Sequence, residues 1–263
     1  MKKIFLILTC LMGMLAFNAS AQEQSLEKCI GVIPGGYNYW FATPADTTEA
    51  KPLIVFLHGA SLKGNDLNRV KKYGTIHAVE MGREIDAYVI GPQLPAGSWK
   101  PEKVKEIVDY VIDNYNVDTS RIYVLGMSLG GYGTLDYAAA YPDQVAAAIA
   151  MCGGSTAKDV SGLNNVPLWI IHGTADRSVP ISQSEKVVSK MEEDDETVPR
   201  LIFERVPGMD HSRPARLFYL PDIYDWLFQH SLEEEGRPIH DTFVIDADIF
   251  SRCYEGIKFK RNK

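Results

Sequence analysis

The chain has 263 residues, 46% of them hydrophobic, and carries a formal net charge of −7. A chain of this size and composition can bury a large core, and one α/β domain is the default expectation. The negative charge argues against nucleic acid and anionic membrane surfaces as partners, because the only basic cluster is a short tail at residues 258–263.

The N-terminal residues have the three-part form of a secretory signal peptide. Lys2 and Lys3 precede an apolar run over residues 4–17, and Ala19-Ser20-Ala21 follows. The run is shorter than the roughly 20 residues that span a bilayer. We expect cleavage near Ala21, a periplasmic or extracellular protein, and no stable membrane insertion afterwards. A membrane anchor and a lipoprotein attached through Cys10 are the alternatives.

The domain organisation follows from this leader and from the apolar runs after it. We predict a signal peptide at residues 1–21 and a single domain at residues 22–263. Its core covers about 37–230, and a C-terminal extension of unassigned role covers 233–263.

Short apolar runs alternate with helical patterns along the domain. Continuous rather than alternating hydrophobicity predicts strands buried on both faces, as in a parallel sheet covered by helices. The chain is therefore expected to form an α/β fold with a mostly parallel central sheet and helices on both faces. Residues 37–42 are expected to begin the sheet as an antiparallel edge hairpin with residues 53–57. The other predicted strands are 87–90, 122–125, 146–151, 168–171 and 201–206, and the predicted helices are 103–115, 132–141, 181–191 and 220–229.

The segment Gly126-Met127-Ser128-Leu129-Gly130 has the pattern G-x-S-x-G between a predicted strand and a predicted helix. A serine at such a break sits on a strained turn with its hydroxyl outward, as in a nucleophile elbow. Ser128 is the candidate nucleophile.

A serine hydroxyl needs a base to accept its proton and a third group to orient that base. Asp176 and His211 follow the next two predicted strand ends, and the order Ser128, Asp176, His211 is the order used by nucleophile-elbow hydrolases. Alternative acids and bases are Asp210, Glu204, His58 and His172. Glu204 lies in a strand pattern and is expected at the surface, His58 is expected to order its loop, and His172 is expected to pack beneath the site.

Other groups complete the candidate site. The backbone N–H groups of Ala60 and Leu129 are the candidate oxyanion donors, because one follows a strand and a glycine and the other follows the nucleophile. Trp99, in a loop over the same sheet edge, is expected either to stack on a substrate ring or to pack its own loop. His, Cys and carboxylate residues show no metal-ligand spacing, so neither a metal nor another cofactor is predicted.

Three cysteines would remain after cleavage, namely Cys29, Cys152 and Cys253. An odd number excludes a full disulfide framework. A bridge between Cys29 and Cys253, near the two ends, is left open, and Cys152 is expected to be a small buried residue.

The elbow, the Leu57-His58-Gly59 segment before it, and the Gly173-Thr174-Ala175-Asp176 and Asp210-His211-Ser212 segments after it resemble secreted α/β-hydrolase esterases. The similar groups are feruloyl and acetylxylan esterases and polyhydroxyalkanoate depolymerase-like proteins. The resemblance covers about residues 37–229 and finds no counterpart for 233–263. It implies a nucleophile at Ser128, an acid at Asp176, a base at His211, and oxyanion donors at Ala60 and Leu129.

The sequence thus predicts a secreted serine hydrolase that cleaves carboxylic esters through an acyl-enzyme. Its substrate would be a small-molecule or polysaccharide-linked ester, with feruloyl or acetyl esters of plant polysaccharides as candidates. A serine peptidase of the same fold and a non-catalytic carbohydrate-binding or scaffold protein are the alternatives. The acyl and alcohol groups and the oligomeric state are left open.

Overall fold

A computed structural model describes residues 24–257, so the expected signal peptide, Cys10 and the basic end of the tail lie outside the described residues. The eight strands of the sheet are β1 (Ser25–Cys29), β2 (Tyr39–Thr43), β3 (Lys51–Leu57), β4 (Tyr88–Pro92), β5 (Val117–Met127), β6 (Ala147–Met151), β7 (Leu168–Gly173) and β8 (Leu201–Val206). The helices are α1 (Thr75–Glu80), α2 (Pro101–Asn114), α3 (Leu129–Ala140), α4 (Ser182–Asp194), α5 (Pro221–Phe228) and α6 (Ala247–Arg252). Short 3-10 helices occur at Ala60–Leu62, Leu67–Lys72, Ser161–Asn165 and Arg213–Tyr219.

The strands form one sheet in the order β1-β2-β4-β3-β5-β6-β7-β8. Strands β4, β3 and β5 to β8 are parallel, while β2 runs antiparallel to both β1 and β4. The predicted α/β fold with a mostly parallel sheet is confirmed. Within residues 24–257, none of the helices is both long and apolar enough to cross a bilayer.

The predicted edge hairpin between residues 37–42 and β3 is wrong. Strand β2 instead pairs with β4, with Tyr39 opposite Pro92 and Ala42 opposite Val89, and β1 covers its other side. The connection over residues 44–50 is longer than a tight two-residue turn. It therefore carries the chain past β4 before β3 begins.

The sheet separates two hydrophobic clusters, because successive residues of a buried strand point to opposite faces. Ile54 and Phe56 of β3 belong to the cluster that α1, α5 and α6 cover. Leu53 and Val55 belong to the cluster that α2, α3 and α4 cover. Most strand residues are buried, and this makes the carboxyl ends of the parallel strands a rigid platform.

The separation of the two clusters by the sheet also shows whether Cys29 and Cys253 can form a disulfide. Cys29 packs against the cluster under α2 to α4, whereas Cys253 lies in the cluster on the opposite face. Both residues and Cys152 are free thiols. The bridge between Cys29 and Cys253 that the sequence left open does not form, because the sheet stands between the two sulfur atoms.

The C-terminal extension, as far as residue 257, folds back onto the sheet. Ile249 and Phe250 of α6 enter the cluster under α5, and the Phe243 ring packs 5.1 Å from the Trp169 ring. Glu204 of β8 accepts hydrogen bonds from Ile245 N at 3.2 Å and from Trp169 Nε1 at 3.3 Å. The expectation that Glu204 lies at the surface is wrong, because this segment covers it and burial raises the pKa of its carboxyl group.

Candidate active site

Ser128 lies at the sharp turn between β5 and α3. Its backbone φ is +59°, in the left-handed region that residues with a Cβ rarely occupy. The Ser128 N–H donates to Met151 O of the neighbouring strand β6 at 2.8 Å. Sheet pairing therefore holds the turn in its strained conformation, which is a recurrent property of functional sites.

The glycines of the elbow are required by close backbone contact. A Cβ on Gly126 would lie 2.6 Å from Leu57 O, and a Cβ on Gly130 would overlap the same oxygen. The start of α3 can therefore pack directly onto the end of β3 only if these positions lack side chains.

The structure brings His211 between Ser128 and Asp176. The His211 Nε2 atom is 3.0 Å from Ser128 Oγ, and His211 Nδ1 is 2.6 Å from Asp176 Oδ2. Ser128 follows β5, Asp176 follows β7 and His211 follows β8, so three strand ends at one edge of the sheet supply the side chains. With Nδ1–H donated to the carboxylate, Nε2 is free to accept the serine proton.

The environment of Asp176 favours its charged form. Burial raises its pKa, but hydrogen bonds from His211 and from the backbone N–H groups of Val179 and Ser178 outweigh burial, so that the pKa is lowered overall. Those two N–H groups lie 2.9 and 2.8 Å from Asp176 Oδ1. The carboxylate is thus ionised, fixed in orientation, and shielded from water by its side-chain burial.

The other candidate acids and bases do not bridge Ser128 and Asp176. Asp210 is exposed and binds the backbone of its own loop through Ser212 N at 2.8 Å. His172 is fully buried, with Nε2 2.9 Å from Val179 O, and burial lowers its pKa. His172 therefore packs under the Asp176 loop, as the sequence predicted.

The loop after β3 passes beside the elbow. A Cβ on Gly59 would stand 3.5 Å from Ser128 Cβ, and the Gly59 N–H donates to Tyr73 Oη at 3.1 Å. Ala60 is the first residue of a 3-10 turn and Leu129 is the first residue of α3. First-turn N–H groups have no acceptor within their own helix, so both are available to a ligand. Sequence reasoning missed Tyr73, because no motif marks its hydroxyl.

His58 fixes the geometry of this loop. The Leu94 N–H donates to His58 Nε2 at 3.1 Å, so the ring proton lies on Nδ1, which donates to Gly59 O at 2.8 Å. Burial lowers the pKa of His58 to about 4, which keeps the ring neutral. His58 thus orders its loop, as the sequence predicted.

Trp99 packs against its own loop. It is 3% exposed, its Nε1–H donates to His58 O at 3.2 Å, and its ring lies edge-on to Tyr37 and to His58. The structure therefore has the loop packing that the sequence left open, and stacking of Trp99 on a substrate stays a prediction. The sequence could not distinguish substrate stacking from loop packing, because both roles are compatible with an aromatic residue at the end of a proline-rich loop.

An open cleft of about 410 Å³ adjoins His211. It lies between the loops that carry the acid and the histidine. The lining residues are Ala175, Arg177, Ser178, Asp210, His211 and Ser212.

Comparison with known proteins gives this geometry a context. Residues 99–228 match the family model described as Phospholipase/Carboxylesterase. Poly(3-hydroxyalkanoate) depolymerase C of Paucimonas lemoignei is 28% identical over 142 residues, which is 47% of this chain and 33% of the depolymerase. Acetylxylan esterase A of Aspergillus ficuum is 23% identical over 258 residues, 91% of this chain and 79% of that protein. A thermostable esterase of known structure superposes with a TM-score of 0.63 and 25% identity, covering 80% of this chain and 64% of the esterase.

The chain has the α/β-hydrolase fold, and over residues 99–228 it is similar to carboxylesterases. The matched part spans only a third of the depolymerase, and the match to the family model begins at Trp99, inside the loop before α2. The matched residues therefore include Ser128, Asp176 and His211 but not Ala60. The assignment of Ala60 as a candidate oxyanion donor depends on the geometry of its loop alone.

Proposed function

We propose that this α/β-hydrolase cleaves carboxylic esters through an acyl-enzyme formed on Ser128. The observation that carries the proposal is the continuous hydrogen-bonded path from Ser128 Oγ through His211 to Asp176. His211 Nε2 accepts the hydroxyl proton as the oxygen attacks the ester carbonyl. The resulting imidazolium, stabilised by Asp176, protonates the departing alcohol, and water then releases the acid by the same steps.

The backbone N–H groups of Ala60 and Leu129 are proposed to stabilise the oxyanion. Both begin helical turns beside Ser128, so both can donate to the carbonyl oxygen of the substrate without giving up an internal hydrogen bond. Loss of one such donor slows catalysis by about 10²–10³-fold in well-studied hydrolases.

The alcohol portion of the substrate is proposed to be polar and carbohydrate-linked. Protonation of the leaving group by His211 requires the alcohol to sit on the histidine side of Ser128. The cleft on that side carries Arg177, Ser178, Asp210 and Ser212, all capable of hydrogen bonding to hydroxyl groups. Relatives named for acetylxylan and polyhydroxyalkanoate support an ester in a polymer, with acetyl or feruloyl groups as the proposed acyl part.

The test compares Ser128→Ala with Ser182→Ala, an exposed serine at the start of α4. With p-nitrophenyl acetate, we expect Ser128→Ala to lose about 10⁵-fold in kcat and Ser182→Ala to keep wild-type turnover. A fluorophosphonate probe should label wild type and Ser182→Ala but not Ser128→Ala. Turnover or labelling that survives Ser128→Ala contradicts the proposal.

A substrate panel separates the finer claims. Release of acetate from acetylated xylan, or of ferulate from feruloylated arabinoxylan, is expected to exceed cleavage of an acylated amino-acid p-nitroanilide. Dominant amide cleavage would favour a peptidase, whereas cleavage of p-nitrophenyl esters alone would remove the carbohydrate claim and leave the serine esterase standing.

Secretion is part of the proposal and rests on the N-terminal pattern of residues 1–21. N-terminal sequencing of the protein recovered from its native host should begin at Gln22. Recovery of an uncleaved Met1 terminus from the soluble cell interior contradicts secretion without touching the esterase proposal.

A further inference from the structure

A second strained strand end, after that of Ser128, lies beside the candidate triad. Cys152 follows β6 directly, is fully buried, and has a backbone φ of +47°. Its N–H donates to Ile171 O at 2.8 Å, so pairing with β7 holds this left-handed conformation in place. Residues with a Cβ adopt such a conformation chiefly where the surrounding structure enforces it, and functional sites are the usual setting.

The Cys152 side chain converges with two members of the triad. One ligand atom each from Cys152, Asp176 and His211 lie within 4.8 Å of one another. Zinc forms bonds of about 2.0–2.3 Å, which place the ligand atoms of a tetrahedral ion roughly 3.3–3.7 Å apart. Movements of an ångström or less would therefore bring all three atoms into the coordination sphere of one ion.

We propose that Cys152, Asp176 and His211 form an inhibitory binding site for Zn²⁺. The ligand chemistry selects the ion: thiolate, imidazole and carboxylate together suit Zn²⁺ and its softer relative Cd²⁺, whereas Mg²⁺ and Ca²⁺ require oxygen ligands. Water from the adjoining cleft would fill the fourth position, because the His211 side chain is 24% exposed. Sequence spacing did not reveal this set, since its members lie on three separate strand ends.

Binding of the ion changes the protonation of two ligands. Zinc binds the thiolate, so the Cys152 thiol proton leaves to solvent and one proton is released per ion. The His211 ring proton moves from Nδ1 to Nε2, which frees the Nδ1 lone pair for the ion.

The bound ion would switch off the activity proposed above, and this consequence rests on that proposal. With its proton on Nε2, His211 donates to Ser128 Oγ instead of accepting from it. The histidine can then no longer act as the base. Metal binding itself does not depend on catalysis and can be measured without it.

The experiment uses the full-length Ser128→Ala variant, titrated with Co²⁺ as a spectroscopic probe and then with Zn²⁺. We expect one ion per chain and a sulfur-to-cobalt charge-transfer band in the ultraviolet, which zinc displaces. Adding Cys152→Ser should abolish the band and weaken zinc binding by at least about 100-fold, since even outer-shell changes weaken metal sites 10–100-fold. Adding Cys253→Ala, which removes a buried free thiol on the opposite face of the sheet, is the matched control. It should change neither the charge-transfer band nor the affinity for zinc.

A second arm measures inhibition of the wild-type enzyme by Zn²⁺. Wild type should be inhibited reversibly, and Cys152→Ser should be inhibited at least about 100-fold more weakly. A charge-transfer band that survives Cys152→Ser, or the absence of any sulfur-to-cobalt band in the Ser128→Ala protein, overturns the site. Because binding is read in a protein without Ser128, failure of the proposed esterase activity would leave this result interpretable.

Discussion

The neutral ring of His58 controls the direction of one proposed oxyanion donor. Gly59 C=O and Ala60 N–H belong to the same planar trans peptide group, so they point in opposite directions. By donating Nδ1–H to Gly59 O at 2.8 Å, His58 holds the carbonyl on its own side of the loop. The Ala60 N–H is thereby turned to the opposite side.

Replacing His58 should therefore reduce kcat more than it changes KM. In His58→Ala the Gly59 carbonyl loses its donor, and we expect kcat to fall by about 100-fold, similar to the loss of one oxyanion donor. His58→Asn places an amide N–H near the position of Nδ1 and should recover part of the loss. Steady-state kinetics with p-nitrophenyl acetate check this, with circular dichroism to confirm folding. An unchanged kcat in His58→Ala, or an asparagine variant no faster than alanine, contradicts the positioning role.

The same residue makes a prediction about stability in acid. The pKa of His58 is about 4 in the folded protein against 6.5 ordinarily, because burial disfavours the charged ring. The unfolded chain therefore takes up a proton at higher pH than the native state does. The neutral His58 ring therefore contributes to the free energy of unfolding. This contribution is fully present above pH 6.5 and is lost as pH falls toward 4, by about 3 kcal/mol in all. Urea unfolding of His58→Asn should show a shallower loss of stability between pH 6.5 and 4 than wild type. Equal slopes would show that His58 is not buried neutral.

Several residues of the candidate site could be identified from the sequence alone. Ser128, Asp176 and His211 were placed because each follows a strand end in a fixed chain order, and order survives uncertainty in element boundaries. The direction of a side chain does not follow from order. Trp99 turns inward to His58 and Cys152 turns toward Asp176, and both orientations depend on backbone angles that sequence patterns do not specify.

At the level of elements, the elbow and the oxyanion loop are one packed unit. The start of α3 lies directly on the end of β3, where a Cβ on Gly130 would overlap Leu57 O. If Leu57 O moved to make room for a side chain at position 130, His58 and the loop after it would have to move as well.

Gly130→Ala should thus disable the site as well as destabilise the protein. We expect a loss of about 1–3 kcal/mol from overpacking and a large fall in kcat. Gly97→Ala is the matched control: its φ of +72° makes alanine unfavourable, but nothing lies within 4 Å of the added carbon. That variant should lose about 1 kcal/mol and keep its kcat. Chemical denaturation and ester hydrolysis measure both quantities, and a fully active Gly130→Ala enzyme would contradict the coupling.

Strand pairing shows where the sequence was insufficient at this scale. Strands β3 to β8 were predicted from continuous apolar runs, and most residues of β3 to β7 are buried, whereas the edge strand β8 is only partly buried. Nothing in such runs specifies which strands are neighbours. Strand β4 enters between β2 and β3, and the connection over residues 44–50 allows this without a tight turn.

Across the whole molecule, the C-terminal segment completes one face of the core. Trp226 Nε1 donates to His240 O at 3.1 Å, and Ile245, Ile249 and Phe250 are at most 7% exposed in the same cluster as α5. Its polar, irregular sequence gave no pattern from which this packing could be predicted. Because the C-terminal segment and the sheet share hydrophobic contacts, we expect them to unfold together.

Phe250→Ala tests this shared cooperativity. Removing a buried phenylalanine leaves a cavity in the cluster that α5 and α6 share, and we expect the free energy of unfolding to fall by about 3 kcal/mol. Val244→Ala, at a side chain 74% exposed in the same segment, should change it by less than about 0.5 kcal/mol. In both variants, urea unfolding followed by circular dichroism, by tryptophan fluorescence and by loss of ester hydrolysis should give coincident curves, because one transition dissolves the segment and the sheet. If the fluorescence of Trp169 and Trp226 changes at lower urea than activity is lost, the segment is a separate unit, and its packing does not support the site.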